Sequence, residues 1–352
     1  MKTVTLSLLL GLALFLSIQN QHDRPVQKTY FPKPRNGVAV IMTGAAARIP
    51  QEAALLEELD KRGILKNLVF ISGVSSGALN SVMLNGILSG KMSWFDYKNI
   101  LYNLKNSDIF IQEEKKLPVN TSPARKLYKK LVEDKLGYHQ IGDLPIPTGI
   151  SFTHLKDLDL KKKVYRMCSR KINQESDTTL SLVDIMMASS AFPLVFPPVR
   201  IRNVTTIPDY EFVDGGVGED QVPYHALLEF EKYRGAGVER IYVISRMSDS
   251  IPEFSEELRE IGINDKGLFD KLGFSFDAVL HKGFVKKLEL FAKEAPELVP
   301  HTFIWIPDFN ASFRLFNFED LKEQYILTTR WAQTHDPVPM SDFLAKYLIK
   351  KK

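Results

Sequence analysis

Short runs of consecutive apolar, largely β-branched residues, spaced by stretches of helical periodicity, limit what this chain can fold into. Residues 38–42 and 68–71 are such runs, and residues 241–244 and 302–306 supply two more. A strand that is apolar at every position, rather than at every second one, must be covered on both faces. Residues 51–59 and 78–88 carry apolar side chains at helical spacing between them. Residues 149–154 and 164–167 read as two further strands joined by a turn around 157–163. Strands alternating with helices in this way predict an α/β fold, a three-layer α/β/α sandwich with a mainly parallel central sheet. At 352 residues, 44% of them hydrophobic, the chain can bury a sizeable core.

The ends read differently. Lys2 precedes an apolar run from Val4 to Ile18, and polar Gln19 to Asp23 follow. Fifteen apolar residues fall short of the ~20 that span a bilayer, so residues 1–21 read as a signal peptide for secretion or the secretory lumen. An uncleaved anchor is the alternative. A Pro-containing lead-in covers residues 22–36. Cys168 is the only cysteine, so no intrachain disulfide can form. Asn120, Asn203 and Asn310 head N-glycosylation sequons, which would make the chain a glycoprotein in a host that uses them. The net charge of +4 is small and its cations are interleaved with acids, which carries no nucleic-acid signature. Lys346, Lys350, Lys351 and Lys352 could give peripheral contact with an anionic membrane, or form a solvated tail. Residues 92–144, a mixed helical insertion, suit either a cap over a site or peripheral packing. Phe269, Phe274, Phe276, Phe284 and Phe291 suit either a core face or the wall of an acyl pocket.

Two segments point to chemistry. Gly73-Val74-Ser75-Ser76-Gly77 follows an apolar strand and precedes a helix. A sharp strand-to-helix turn of this composition presents a strained serine hydroxyl, and the helix N-terminus beyond it favours developing negative charge. The bare pattern is weak, arising by chance in about one chain in ten of this length. A serine also needs a base. Tyr210-Glu211-Phe212-Val213-Asp214-Gly215-Gly216 is an alternating strand that ends in an acid and two glycines. Asp is an ordinary turn residue before Gly, and a weak base unless an apolar pocket raises its pKa.

Taken in order, the motifs resemble those of the patatin-like phospholipase family. Ile71 to Asn80 resembles the family's nucleophile segment, and Asp214-Gly215-Gly216-Val217 its acidic motif. Between them, Ala188 to Pro193 with Phe196-Pro197-Pro198 resembles the helix and turn beside the site. The resemblance spans roughly residues 37–306. It implies a lipid acyl hydrolase with a Ser75–Asp214 dyad, no catalytic histidine and no cofactor or metal. The substrate would be a lipid or another acyl ester, and the oligomeric state stays open. The resemblance places the catalytic domain at residues 37–310 and leaves 311–352 as a helical extension. It also implies that N–H groups of Gly44, Ala45 and Ala46 hold the oxyanion, while Arg48 orients that loop or a substrate anion.

Two departures qualify the match. The loop reads Thr43-Gly44-Ala45-Ala46-Ala47-Arg48-Ile49, with Ala45, Ala46 and Ile49 where glycine is usual. Any of these held at positive φ would be strained by about 1–2 kcal/mol. The stretch from Gly218 to Pro223 carries an extra residue, and Gln221 stands where Asn is common. Two rivals follow: a Ser-His-Asp triad drawing on His281, His301 or His335, and a catalytically weakened lipid- or partner-binding protein.

Overall fold

The computed structural model describes residues 34–113, 116–154, 164–201, 211–246, 256, 259–260 and 281–349. The expected signal peptide, most of the lead-in, the turn at 157–163, the Asn203 sequon, Phe269, Phe274 and Phe276 lie outside them, as does the His281 side chain. Arg35 onward forms one compact unit.

In chain order the strands are β1 (Val38–Met42), β2 (Leu68–Val74), β3 (Thr148–His154), β4 (Val164–Cys168), β5 (Val199–Arg200), β6 (Glu211–Asp214), β7 (Arg240–Ile244), β8 (Thr302–Trp305) and β9 (Val338–Pro339). The helices are α1 (Ile49–Lys61), α2 (Ser76–Leu88), α3 (Trp94–Asn103), α4 (Asn106–Ile109), α5 (Ser122–Tyr128), α6 (Leu182–Ser189), α7 (His225–Arg234), α8 (His281–Glu294), α9 (Leu321–Ala332) and α10 (Met340–Ile349). Strands β3, β2, β1, β7 and β8 lie side by side and all parallel. Antiparallel strands β4, β5, β6 and β9 flank them, so the parallel expectation holds for the centre of the sheet and gives way at its margins.

Alternation along the strands sorts the core into two layers. Ala39, Ile41, Phe70, Ile241 and Val243 point to a cluster completed by α7 and α8. Val40, Met42, Ile71, Tyr242 and Ile244 point the other way, toward α1, α2 and α9. Successive side chains on a strand face opposite sides, so helices on both sides make the three-layer sandwich. Phe284 and Phe291 belong to the first cluster and are core.

One register detail matters for the site. Strand β2 and strand β4 both pair with residues 149–151 of β3, so they occupy its opposite edges. Strand β4 and strand β6 both pair with Phe152 and Thr153, so β6 takes the edge that β2 occupies. Val74 therefore ends one strand opposite Ser151, and Asp214 ends the other opposite Phe152. Two chain ends 140 residues apart (214 − 74) meet on consecutive rungs of β3.

Candidate active site

Ser75 is the hinge between β2 and α2. Its φ of +58° and ψ of −126° lie where side chains rarely sit, a strain that persists only when the surroundings over-determine it. Its two flanking glycines serve close approach. A Cβ on Gly73 would strike the Gly77 carbonyl, and one on Gly77 would come within 2.6 Å of the Thr43 carbonyl. The Ser75 N–H donates to Ser189 Oγ at 2.9 Å, and that hydroxyl donates to the Ser151 carbonyl at 2.8 Å. The Asp214 N–H donates to the Ala191 carbonyl at 3.0 Å. The helix end and turn from Ala188 to Pro193 thus holds both meeting ends, which explains why its small residues are needed there.

The Ser75 hydroxyl lies beside the Asp214 carboxyl and favours its charged form. Asp214 is 3% exposed, and Gly216 N–H donates to its Oδ1 at 2.7 Å. Burial pushes the carboxyl up to about 7, against the opposing pull of Ser75 and the Gly216 N–H. A carboxyl poised near neutrality can take and return a proton. Behind it, the fully buried Asp220 receives both Nε and Nη2 of Arg166 at 2.8 Å, which fixes the loop that follows Asp214. That ion pair holds Asp220 below its usual value despite burial.

Residues 43–49 split by backbone conformation. Ala46 is held at φ +44°, whereas Ala45 has φ −132° and Ile49 is helical at −47°. Only Ala46 carries the strain expected of a non-glycine residue. The Ala45 N–H is committed to Ser76 Oγ at 2.7 Å, and the Ala47 N–H to the Leu315 carbonyl at 2.8 Å. The N–H groups of Gly44 and Ala46 find no acceptor among the described residues, and both residues line the space in front of Ser75. Of the three N–H groups expected to hold an oxyanion, the geometry therefore leaves Gly44 and Ala46 and removes Ala45. Arg48 donates from Nε and Nη2 to the Phe313 carbonyl and lines neither cavity described below. Through that contact it braces the loop.

Two chambers meet at Ser75. The larger, about 910 Å³ with its open mouth, is lined almost wholly by apolar side chains. Ile49, Leu79, Ile100, Leu131, Phe196 and Phe318 are among them, drawn from α1, α2, the insertion, the turn after α6 and the segment beyond β8. Leu131 sits in a π-helical stretch, Lys129–Lys135, that continues α5; such irregular turns are frequent at functional sites. The insertion is thus a wall of the site. The smaller chamber, about 400 Å³, is the more polar of the two: Gly44, Asp214, Gln221 and Arg246 line it beside Phe192, Val217 and Leu315. Arg246 and Phe318 were not singled out in the sequence, and Gln221 only as a residue standing where Asn is common. The 311–352 extension is part of the site's frame through Phe313, Leu315 and Phe318. Among the described residues no histidine lines either chamber. His301 bonds the Glu239 carbonyl at the start of β8, and His335 the Trp331 carbonyl.

The patatin-like phospholipase family model matches residues 40–228, the stretch that carries Ser75, Asp214 and the loop from Thr43 to Ile49. No curated protein matches the chain. Among solved structures, it is similar to VipD from Legionella pneumophila, with 13% identity over 86% of this chain and 67% of that one, at a TM-score of 0.38. The type III effector protein ExoU is similar at 11% identity over 90% of this chain, which spans only 54% of that protein, with a TM-score of 0.38. Full-length ExoU of Pseudomonas aeruginosa, in complex with SpcU, matches at 12% identity over 89% and 74% of the two chains, with a TM-score of 0.31. A family match over more than half of the chain, 189 of 352 residues (228 − 40 + 1), places it: the protein belongs to the patatin-like phospholipase family.

Proposed function

We propose that this protein is a serine hydrolase of phospholipid and lysophospholipid acyl esters, working through a Ser75–Asp214 dyad and an acyl-enzyme. One observation carries the reading: a serine hydroxyl beside a buried carboxyl of raised pKa, where an apolar chamber meets a more polar one. The acyl chain lies in the apolar chamber and the alcohol portion in the polar one, where Arg246 and Gln221 suit a polar, anionic headgroup. As Ser75 Oγ bonds to the ester carbonyl carbon, its proton passes to Asp214. The oxyanion sits on the Gly44 and Ala46 N–H groups. Collapse breaks the ester C–O bond, and the departing alcohol takes the proton back from Asp214. Water then repeats the sequence on the acyl-enzyme, with Asp214 again receiving the proton and Ser75 finally regaining it. Residues 1–21 would carry the protein into the secretory route, where membranes and lipoproteins present such esters.

Fatty-acid release from phosphatidylcholine, lysophosphatidylcholine, trioctanoin and p-nitrophenyl butyrate tests the reading, with Ser75→Ala as the blank. The expected pattern is release from the two phospholipids above that from trioctanoin, none of it in the blank. Equal release by the Ser75→Ala protein contradicts it.

A further inference from the structure

Glu52, on the first turn of α1, is fully buried and lines neither chamber. Thr43 Oγ1 lies 3.2 Å from its Oε1, and Asn80 Nδ2 donates to its Oε2 at 3.1 Å. Thr43 immediately precedes Gly44, and its hydroxyl is also 2.8 Å from that of Ser245, the neighbour of Arg246. Asn80 sits on α2, the helix that Ser75 opens, where it also donates to the Ile49 carbonyl and accepts from the Tyr97 hydroxyl. One buried carboxyl therefore ties together the oxyanion loop, the nucleophile helix and the tail of β7. Burying a carboxyl is costly, and neutral side chains of the same size could fill the space.

We propose that Glu52 is a positioning residue for the hydrolysis: neutral, it clamps those three elements in register, and its ionisation sets the alkaline limit of turnover. The inference rests on the dyad reading above. Burial pushes Glu52 up to about 8, with the hydrogen bonds from Asn80 and Thr43 and the charge of Arg246 opposing. In the neutral form its proton lies on the contact to Thr43, whose own hydroxyl turns to Ser245. Ionised, it places a negative charge behind Gly44, against the developing oxyanion. It also draws on the positive charge of Arg246 that the polar chamber otherwise uses. The charged and titratable groups facing it are Arg246 beyond β7 and Tyr97 of α3. From α9 the neighbouring side chain is the neutral Gln324, bonded to Gln51 and to the Ala47 carbonyl; the Arg48 guanidinium is directed at the Phe313 carbonyl.

The test is the pH profile of kcat/KM for p-nitrophenyl butyrate, with wild type, Glu52→Gln and Glu52→Ala. Wild type should rise through about 7 as Asp214 loses its proton, and fall through about 8 as Glu52 loses its own. Glutamine mimics the neutral acid, donating to Thr43 and accepting from Asn80. Glu52→Gln should keep the rise and lose the fall, so that at pH 9.5 it retains its plateau while wild type has dropped about tenfold or more. Glu52→Ala should lose rate across the whole range. A fall that survives unchanged in Glu52→Gln overturns the inference and leaves the dyad intact. Absence of hydrolysis at every pH overturns the dyad, and this inference with it. Should Glu52→Gln not fold, the infrared carbonyl band of a protonated carboxylic acid decides, read in the Asp214→Asn protein, which lacks the other carboxyl of raised pKa. Its presence at about pH 7 and loss through about pH 8 support the clamp, and its absence already at about pH 7 overturns it.

Discussion

The two chambers that meet at Ser75 are built on opposite principles. The polar one is small, and its essential residues come from tight turns at strand ends: Gly44 after β1, Asp214 at the end of β6, Gln221 beyond it, and Arg246 after β7. Its shape is set by named hydrogen bonds and a buried ion pair. The apolar one is larger, and its walls come from single residues scattered between Ala46 and Phe318. Most of those side chains are held by packing alone, with Tyr97, which donates to Asn80, and Ser190, which donates to the Met186 carbonyl, among the exceptions. Chemistry needs atoms placed to within a fraction of an ångström, whereas an acyl chain needs only a dry volume of suitable size. The polar chamber should therefore respond sharply to small changes and the apolar one gradually.

The largest expected effect is on the polar side. Asp214→Asn keeps an acceptor for the Gly216 N–H but removes the base, and turnover should fall about 10²–10⁴-fold at pH 8. The same variant should be more stable than wild type at that pH. A carboxyl whose folded pKa of about 7 exceeds its ordinary 3.8 favours the folded state at low pH. That contribution is lost as pH rises between the two values, since the unfolded chain then releases its proton more readily. Thermal melting of both proteins at pH 5 and pH 8 checks the sign: the gain on substitution should grow with pH.

Next comes the scaffold behind the polar chamber. Arg166→Met strands Asp220, which has no exposure at all, and should cost about 3–5 kcal/mol of stability by denaturant unfolding. An equally large loss from a conservative change in the apolar walls, such as Leu79→Met, would break the contrast between the two regions.

On the apolar side, Leu131→Trp fills part of the larger chamber. The ratio of long-chain to short-chain ester hydrolysis should fall about tenfold or more, read as kcat/KM for decanoyl against butyryl esters. An unchanged ratio would mean that the acyl chain lies elsewhere. The smallest effect belongs to Ala46. Replacing it with glycine relieves the φ of +44° but frees the unfolded chain, so stability should move by less than about 1 kcal/mol. The rate should follow equally little if the N–H already points at the oxyanion.

The same contrast explains what could be read from the sequence. Ser75 and Asp214 are legible because each sits in a contiguous motif whose flanking glycines answer a local steric demand, as the carbonyls crowding Gly73 and Gly77 show. Their meeting was legible only through the family resemblance, not from the residues' own spacing. It depends on β6 sharing an edge of β3 with β2, a pairing between segments remote in the chain. The three unusual residues of the oxyanion loop looked equivalent as letters, yet only Ala46 adopts positive φ, because Ala45 is held by Ser76 Oγ and Ile49 has already entered α1. The apolar chamber was least legible. Leu79, Leu131 and Phe318 differ in no local pattern from core residues, while Phe284 and Phe291, which sequence allowed as pocket walls, pack on the opposite face of the sheet.

Labelling by a fluorophosphonate bears most directly on the dyad. The expected result is a single adduct mapped by mass spectrometry to Ser75, formed much more slowly in Asp214→Asn and not at all in Ser75→Ala. An unreactive wild-type protein, or an adduct that persists in Ser75→Ala, would contradict it.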